Sequence, residues 1–152
     1  MSSPSSANSA TDPPAAPPDA PVLELEERVR YSETDGMGIA HHRNYFVWFE
    51  LGRTEFCRRQ GLTYREIEEL GFFIVVVDAA CHYKKPLRYD DRFIIRTVLR
   101  EAGLKKFVFA YEVLRAEDRE VAATGETVHL VVNRAGRVSA LPRAVLDRLT
   151  RP

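Results

Sequence analysis

From Val22 to Tyr31 (VLELEERVRY) apolar and polar residues alternate, the period-two pattern of a half-buried strand. The pattern breaks at a loop containing Gly36 and Gly38, and from His42 the period lengthens to that of a helix. Tyr45, Trp48, Phe49, Gly52 and Phe56 recur at three and four residues as one apolar stripe, opposed by Arg43, Arg53, Arg58 and Arg59. Gly61 is placed to end this helix. The segment Thr63 to Gly71 reads as a short helix, with Thr63 as its cap and Glu66 three residues later.

Four strand-like runs follow. Phe72 to Tyr83 (FFIVVVDAACHY) is almost continuously apolar, which predicts a central strand buried on both faces and ended by Pro86. Arg92 to Arg100, Lys105 to Arg115 and Glu120 to Val132 are joined by turns so short that neighbouring strands must be antiparallel. Pro142 opens a last short helix that runs to Thr150. The order β-α-β-β-β-β-α predicts an α+β domain in which an antiparallel sheet wraps one long helix, because Trp48, Phe49 and Phe56 need a surface to cover them. The open edges of such a sheet predict self-association.

A chain of 152 residues is long enough for one cored domain. Residues 1–21, rich in Ser, Ala and Pro, read as a disordered tail ahead of a domain spanning 22–152. With 22 basic and 22 acidic residues the net charge is zero, which argues against nucleic acid as the main partner. There is no secretory signal pattern and no apolar run of membrane-spanning length. Cys57 and Cys81 lack paired spacing and sit in apolar segments, as reduced, buried thiols of a cytoplasmic protein would.

The chemistry concentrates between Tyr31 and Tyr45. Asp35 lies in the Gly-punctuated loop just before the helix start, where unpaired backbone N–H groups stabilise a developing oxyanion. This is an arrangement for attack on a carbonyl, with Asp35 as nucleophile or general base and the His42 N–H as oxyanion donor; the plainer role for Asp35 is that of a turn carboxylate. The His42 side chain is suited to orient water, protonate a leaving group or cap the helix. Glu50, eight residues further along the helix, is the rival carboxylate, whereas Glu55 reads as a salt-bridged helix residue. Adjacent His41 and His42 point about 100° apart on a helix, and neither they nor His82 and His129 have metal-ligand spacing, so no metal is expected.

The Asp35 loop, His42-x-Asn44-Tyr45, Trp48-Phe49-Glu50, Arg53-Thr54-Glu55 and Pro86-Leu87-Arg88-Tyr89-Asp90-Asp91 together resemble the hotdog-fold acyl-CoA thioesterases. The branch is that of 4-hydroxybenzoyl-CoA thioesterase and the YbgC-type enzymes, and the resemblance runs from about Glu27 to Arg148. It implies a hotdog fold and hydrolysis of an acyl-CoA thioester to free acid and coenzyme A. Asp35 matches the family's catalytic carboxylate. His42 matches a histidine of the YbgC-type branch, where 4-hydroxybenzoyl-type enzymes carry tyrosine, and Tyr31 matches a tyrosine implicated in that branch. His41 departs from the aromatic residue more usual there.

The same resemblance implies no dissociable cofactor, since coenzyme A belongs to the substrate, and a homodimer or homotetramer with sites at the subunit interface. Coenzyme A phosphates require cations, and Lys84, Lys85, Arg88, Lys105 and Lys106 stand at strand ends where a pocket mouth would lie; lysines there also serve as edge protection. Two other functions fit the sequence: a hydratase or dehydratase of acyl thioesters, and a non-catalytic module that binds an acyl thioester or acyl carrier.

Overall fold

The computed structural model describes residues 19–152. Most of the predicted tail lies outside them. Five strands, β1 (Val22–Arg28), β2 (Phe72–Tyr83), β3 (Arg92–Ala102), β4 (Lys106–Arg115) and β5 (Val121–Asn133), form one sheet in the order β1-β3-β4-β5-β2, with every neighbouring pair antiparallel. The helices are α1 (Asn44–Arg59), α2 (Tyr64–Glu69) and α3 (Arg143–Leu149). Thr63 caps α2 through the expected box with Glu66. Among the described residues no helix is long and apolar enough to cross a membrane.

The apolar stripe of α1 packs on the sheet through aromatic contacts. Trp48 lies 4.2 Å from Phe93, and Phe49 stacks on Tyr111 at 4.3 Å. Two glycines let the helix and sheet come this close. A Cβ on Gly52 would lie 2.3 Å from the Thr97 hydroxyl, and one on Gly125 would lie 2.3 Å from the Phe49 ring. Each faces a bulky partner where an added methyl has no room.

The structure corrects the reading of the most apolar run. β2 is an edge strand, not a central one: among the described residues only β5 pairs with it, and β4 occupies the middle of the sheet. Val75, Val76 and Val77 are 37%, 48% and 53% exposed. The physical reason is the path of α1, which lies over β1, β3 and β4, while the short α2 shelters only the start of β2. An apolar strand buried on both faces and an apolar strand still uncovered have the same composition, and periodicity does not separate them.

The core also holds a polar chain. The His129 imidazole Nε2 is 2.8 Å from Thr127 Oγ1, which is 2.6 Å from the Tyr111 hydroxyl. Burial first, and the nearby Arg53 guanidinium second, push the His129 imidazole down to about 4. Burial likewise pushes the Cys57 thiol up to about 12, leaving an inert, protonated sulfur.

Two outcomes follow from this packing. Gly52→Ala would raise helix propensity in most helices, but here the clash with Thr97 dominates and we expect a loss of about 1–3 kcal/mol in urea denaturation; a gain in stability would contradict the close approach. His129 gives a pH dependence of defined sign. Between its ordinary 6.5 and about 4 the unfolded chain takes up a proton that the native core refuses, so stability falls as pH drops through that window. His129→Leu should flatten that part of a denaturation series measured against pH.

Candidate active site

The loop before α1 is built by backbone bonds that leave little freedom. Thr34 bridges Ala40 and Ile39 bridges Arg88, both antiparallel, and the turn closes with Asp35 N–H donating to Ile39 O at 2.9 Å. Asp35 Oδ1 accepts from the Met37 N–H at 2.8 Å and the Ile39 N–H at 3.4 Å, so one carboxylate oxygen holds the turn. Gly38, at φ +78°, supplies the left-handed residue this turn needs.

A buried carboxylate two residues earlier fixes the loop to the helix. Glu33 is 9% exposed; its Oε2 accepts from Trp48 Nε1 at 2.8 Å and its Oε1 from the Arg30 N–H at 2.8 Å. The Glu33 carbonyl accepts from the His41 N–H at 2.8 Å and from Asn44 Nδ2 at 2.7 Å. Glu33 is a functional-site residue that sequence reasoning missed. Its carboxylate lay inside the stretch of interest, but nothing in a linear reading pairs it with an indole 15 residues away.

The helix begins two residues later than its periodicity suggests, at Asn44. No side chain caps α1, the His42 side chain included; just ahead of the helix His41 Nδ1 accepts from the Arg43 N–H at 3.1 Å. The Asn44 and Tyr45 N–H groups donate to the carbonyls of His41 and His42. From His41 to Tyr45, every backbone N–H thus has an acceptor except that of His42, which has none among the described residues. An unengaged donor at a helix start is the group an oxyanion requires.

Asp35, Ile39, Ala40, His42, Tyr45, Tyr83, Lys84, Lys85 and Pro86 line one cleft of about 430 Å³. Tyr83 comes from the end of β2 and ties the far wall to the helix start, its hydroxyl donating to the His42 carbonyl at 3.1 Å. Tyr45 meets the Tyr83 ring edge-on at 4.9 Å. Burial pushes the Tyr45 phenol up to about 12, and burial followed by the Cys81 thiol raises Tyr83 as well. Both rings therefore stay neutral at ordinary pH, and the bases facing the cleft are Asp35 and His42. His42 makes no hydrogen bond to Asp35; its ring stacks on His41 at 4.2 Å. Tyr45 stood in the sequence as a motif and stripe residue, whereas Tyr83 carried no site signal, because the contact between them spans 38 residues of chain and depends on the sheet order.

The other predicted site residues part company. Tyr31 is 78% exposed, meets Tyr89 edge-on and is not among the residues that line the cleft. Of the five proposed cations, Lys84 and Lys85 line the cleft. Arg88 touches the loop through its backbone bridge with Ile39. Lys105 and Lys106 lie elsewhere: Lys106 pairs with Leu130 on β5, whereas Lys84 donates to the Ala122 carbonyl, eight residues or roughly 26 Å along that strand. Glu50 lines a separate cleft with Arg53, Tyr64 and Phe73. Glu55 pairs with Arg58 and with Arg59, as a surface helix residue.

A sequence profile of the thioesterase-like superfamily matches residues 29–149. A protein of Aquifex aeolicus, provisionally described as an esterase, is 42% identical over 122 residues, covering 80% of this chain and 93% of that one. YneP of Bacillus subtilis, provisionally described as an acyl-CoA thioesterase, is 37% identical over 114 residues, 74% of this chain and 81% of that one. The crystal structure of a hypothetical protein from Aquifex aeolicus superimposes with a TM-score of 0.78 at 38% identity, covering 84% of this chain and 99% of that one. The five-stranded sheet with its long helix is the hotdog fold.

The Glu33–Trp48 bond can be tested apart from any reaction. In a double-mutant cycle of Glu33→Gln and Trp48→Phe we expect a coupling of about 1–3 kcal/mol in chemical denaturation. Additive effects would show that the bond carries nothing.

Proposed function

Since the chain belongs to the thioesterase-like superfamily, we propose that it hydrolyses an acyl-CoA thioester to the free acid and coenzyme A, with Asp35 as nucleophile or general base. One observation carries this reading: Asp35 lines the same cleft as His42, whose backbone N–H has no acceptor among the described residues. Asp35 either adds to the thioester carbonyl carbon or takes a proton from the water that does. In both cases the carbonyl oxygen gains the charge that the His42 N–H receives, and the carbon–sulfur bond breaks to release a thiolate that takes up a proton; on the nucleophilic route water then cleaves the anhydride formed on Asp35, releasing the acid and restoring the carboxylate. The His42 imidazole, exposed at the cleft, is an auxiliary group for that proton.

Lys84 and Lys85 are the cations we assign to the coenzyme A phosphates, because they alone among the five candidates line this cleft. Tyr31 is withdrawn from the reacting group, since its ring faces Tyr89 and solvent. The reaction needs no dissociable cofactor in this reading. The protein acts as a homodimer or larger homo-oligomer, a reading supported by the uncovered apolar edge of β2.

A panel of short, long and aromatic acyl-CoAs assayed by thiol release tests the assignment. Asp35→Asn should lower kcat by about a hundredfold or more while leaving the thermal midpoint near that of the parent, because an amide oxygen still accepts from Met37 and Ile39. Glu50→Gln, in its separate cleft, should retain activity. Full turnover in Asp35→Asn overturns the proposal, and loss confined to Glu50→Gln would move the role to Glu50.

A further inference from the structure

Asn44, the first residue of α1 and part of the His42-x-Asn44-Tyr45 motif, takes no part in the chemistry set out above. It is buried, at 9% exposure, and its side-chain amide has two N–H bonds to give. Both go to carbonyls of the loop: Nδ2 lies 2.7 Å from Glu33 O and 3.1 Å from His41 O. The Asn44 backbone N–H donates to the same His41 oxygen, also at 3.1 Å. One residue thus grips the His41 carbonyl twice.

That carbonyl belongs to the peptide unit whose N–H is that of His42, the donor with no acceptor among the described residues. A trans peptide is planar, and its C=O and N–H are directed to opposite sides. Holding the oxygen therefore sets where the N–H points, and two donors on one oxygen leave the plane less freedom to turn than one. Hydrogen bonds also polarise the units they join, so donation into the His41 carbonyl makes the His42 N–H a stronger donor. The neighbouring contacts hold other planes. The Tyr83 hydroxyl and the Tyr45 N–H bond the His42 carbonyl, which lies in the next peptide unit. The Glu33 carbonyl accepts from the His41 N–H, which lies in the unit before. Among the described residues no other side chain bonds the His41 carbonyl.

On the hydrolytic reading above, we propose that Asn44 is a positioning residue for the oxyanion: its side-chain amide locks and polarises the His41–His42 peptide, so that the His42 N–H stays directed at the cleft. It acts through that peptide and not on the substrate. The bond from the same amide to Glu33 O ties the loop to the helix, which is a structural share, and the two shares have different consequences. Loss of a tie lowers stability. Loss of the peptide's setting lowers the rate at saturating substrate and weakens the bond to the substrate carbonyl.

Asn44→Asp keeps the shape but has no donor when ionised, and Asn44→Ala removes the donor without adding a charge. In whichever variant folds, kcat for thiol release should fall about tenfold while KM stays within about twofold of the parent; removing an oxyanion donor outright costs about a hundredfold or more. The second readout is the carbonyl stretch of an acyl-CoA isotope-labelled at its thioester carbonyl, followed by difference infrared spectroscopy when bound to Asp35→Asn protein, where the thioester survives. Adding Asn44→Ala should shift that stretch to higher frequency, because the hydrogen bond to the carbonyl weakens. A lower thermal midpoint with kcat and stretch both unmoved would mark a structural tie only and overturns the proposal. Failure of the hydrolytic reading shows separately, as a parent protein that releases no thiol or as Asp35→Asn with full turnover. In the first case the stretch measured in the parent, and in the second the fall in kcat, still decides for or against Asn44. No bound carbonyl signal and no thiol release together overturn both.

Discussion

The buried carboxylate of Glu33 is the constraint on which the rest of the site depends. One side chain collects the Trp48 indole N–H and the Arg30 amide, while its carbonyl collects the His41 amide and the Asn44 side chain. Those bonds add a clasp between the loop after β1 and α1 to the backbone bonds that tie the loop to Leu87 and Arg88. With them, Asp35 and the His42 N–H share one frame, although the two groups do not touch. A buried carboxylate tolerates burial only when its acceptors are used, and here both oxygens are.

Above this clasp sits a second constraint, the depth at which α1 lies on the sheet. Gly52 against Thr97 and Gly125 against Phe49 allow the helix no rise or roll, and Phe49 is held between Gly125 and Tyr111. The helix start is therefore as well positioned as its middle. Tyr83 completes the frame from β2, bonding the His42 carbonyl and meeting Tyr45. The cleft is thus bounded by a loop, a helix end and a strand end, each held by a different kind of contact.

Much of this was legible in the sequence, and the failures have physical causes. Periodicity placed α1, the capped α2 and all five strands, because half-buried elements write their period into the chain. That Asp35 and His42 border one cleft was readable because both lie within one local loop. What failed depended on sheet order. β2 was expected in the centre because its apolar run gives no sign of which face awaits a partner. Lys105 and Lys106 were grouped with Lys84 because strand ends look alike until it is known which end of the sheet each occupies. Tyr31 follows the same logic: a residue four positions from Asp35 was expected beside it, but the short helical turn at Tyr31–Glu33 swings its ring to Tyr89.

The contacts that build the cleft also differ in how far they reach along the chain. Glu33 meets Asn44 and Trp48 across 11 and 15 residues, whereas Tyr83 reaches His42 across 41. Short loops close sooner and at lower entropic cost than long ones. The Glu33 clasp is thus the local part of the cleft, while the Ile39 bridge to Arg88 and the Tyr83 bond to His42 reach across 49 and 41 residues. A short-range contact sets the loop against its helix, and long-range ones set both against the sheet.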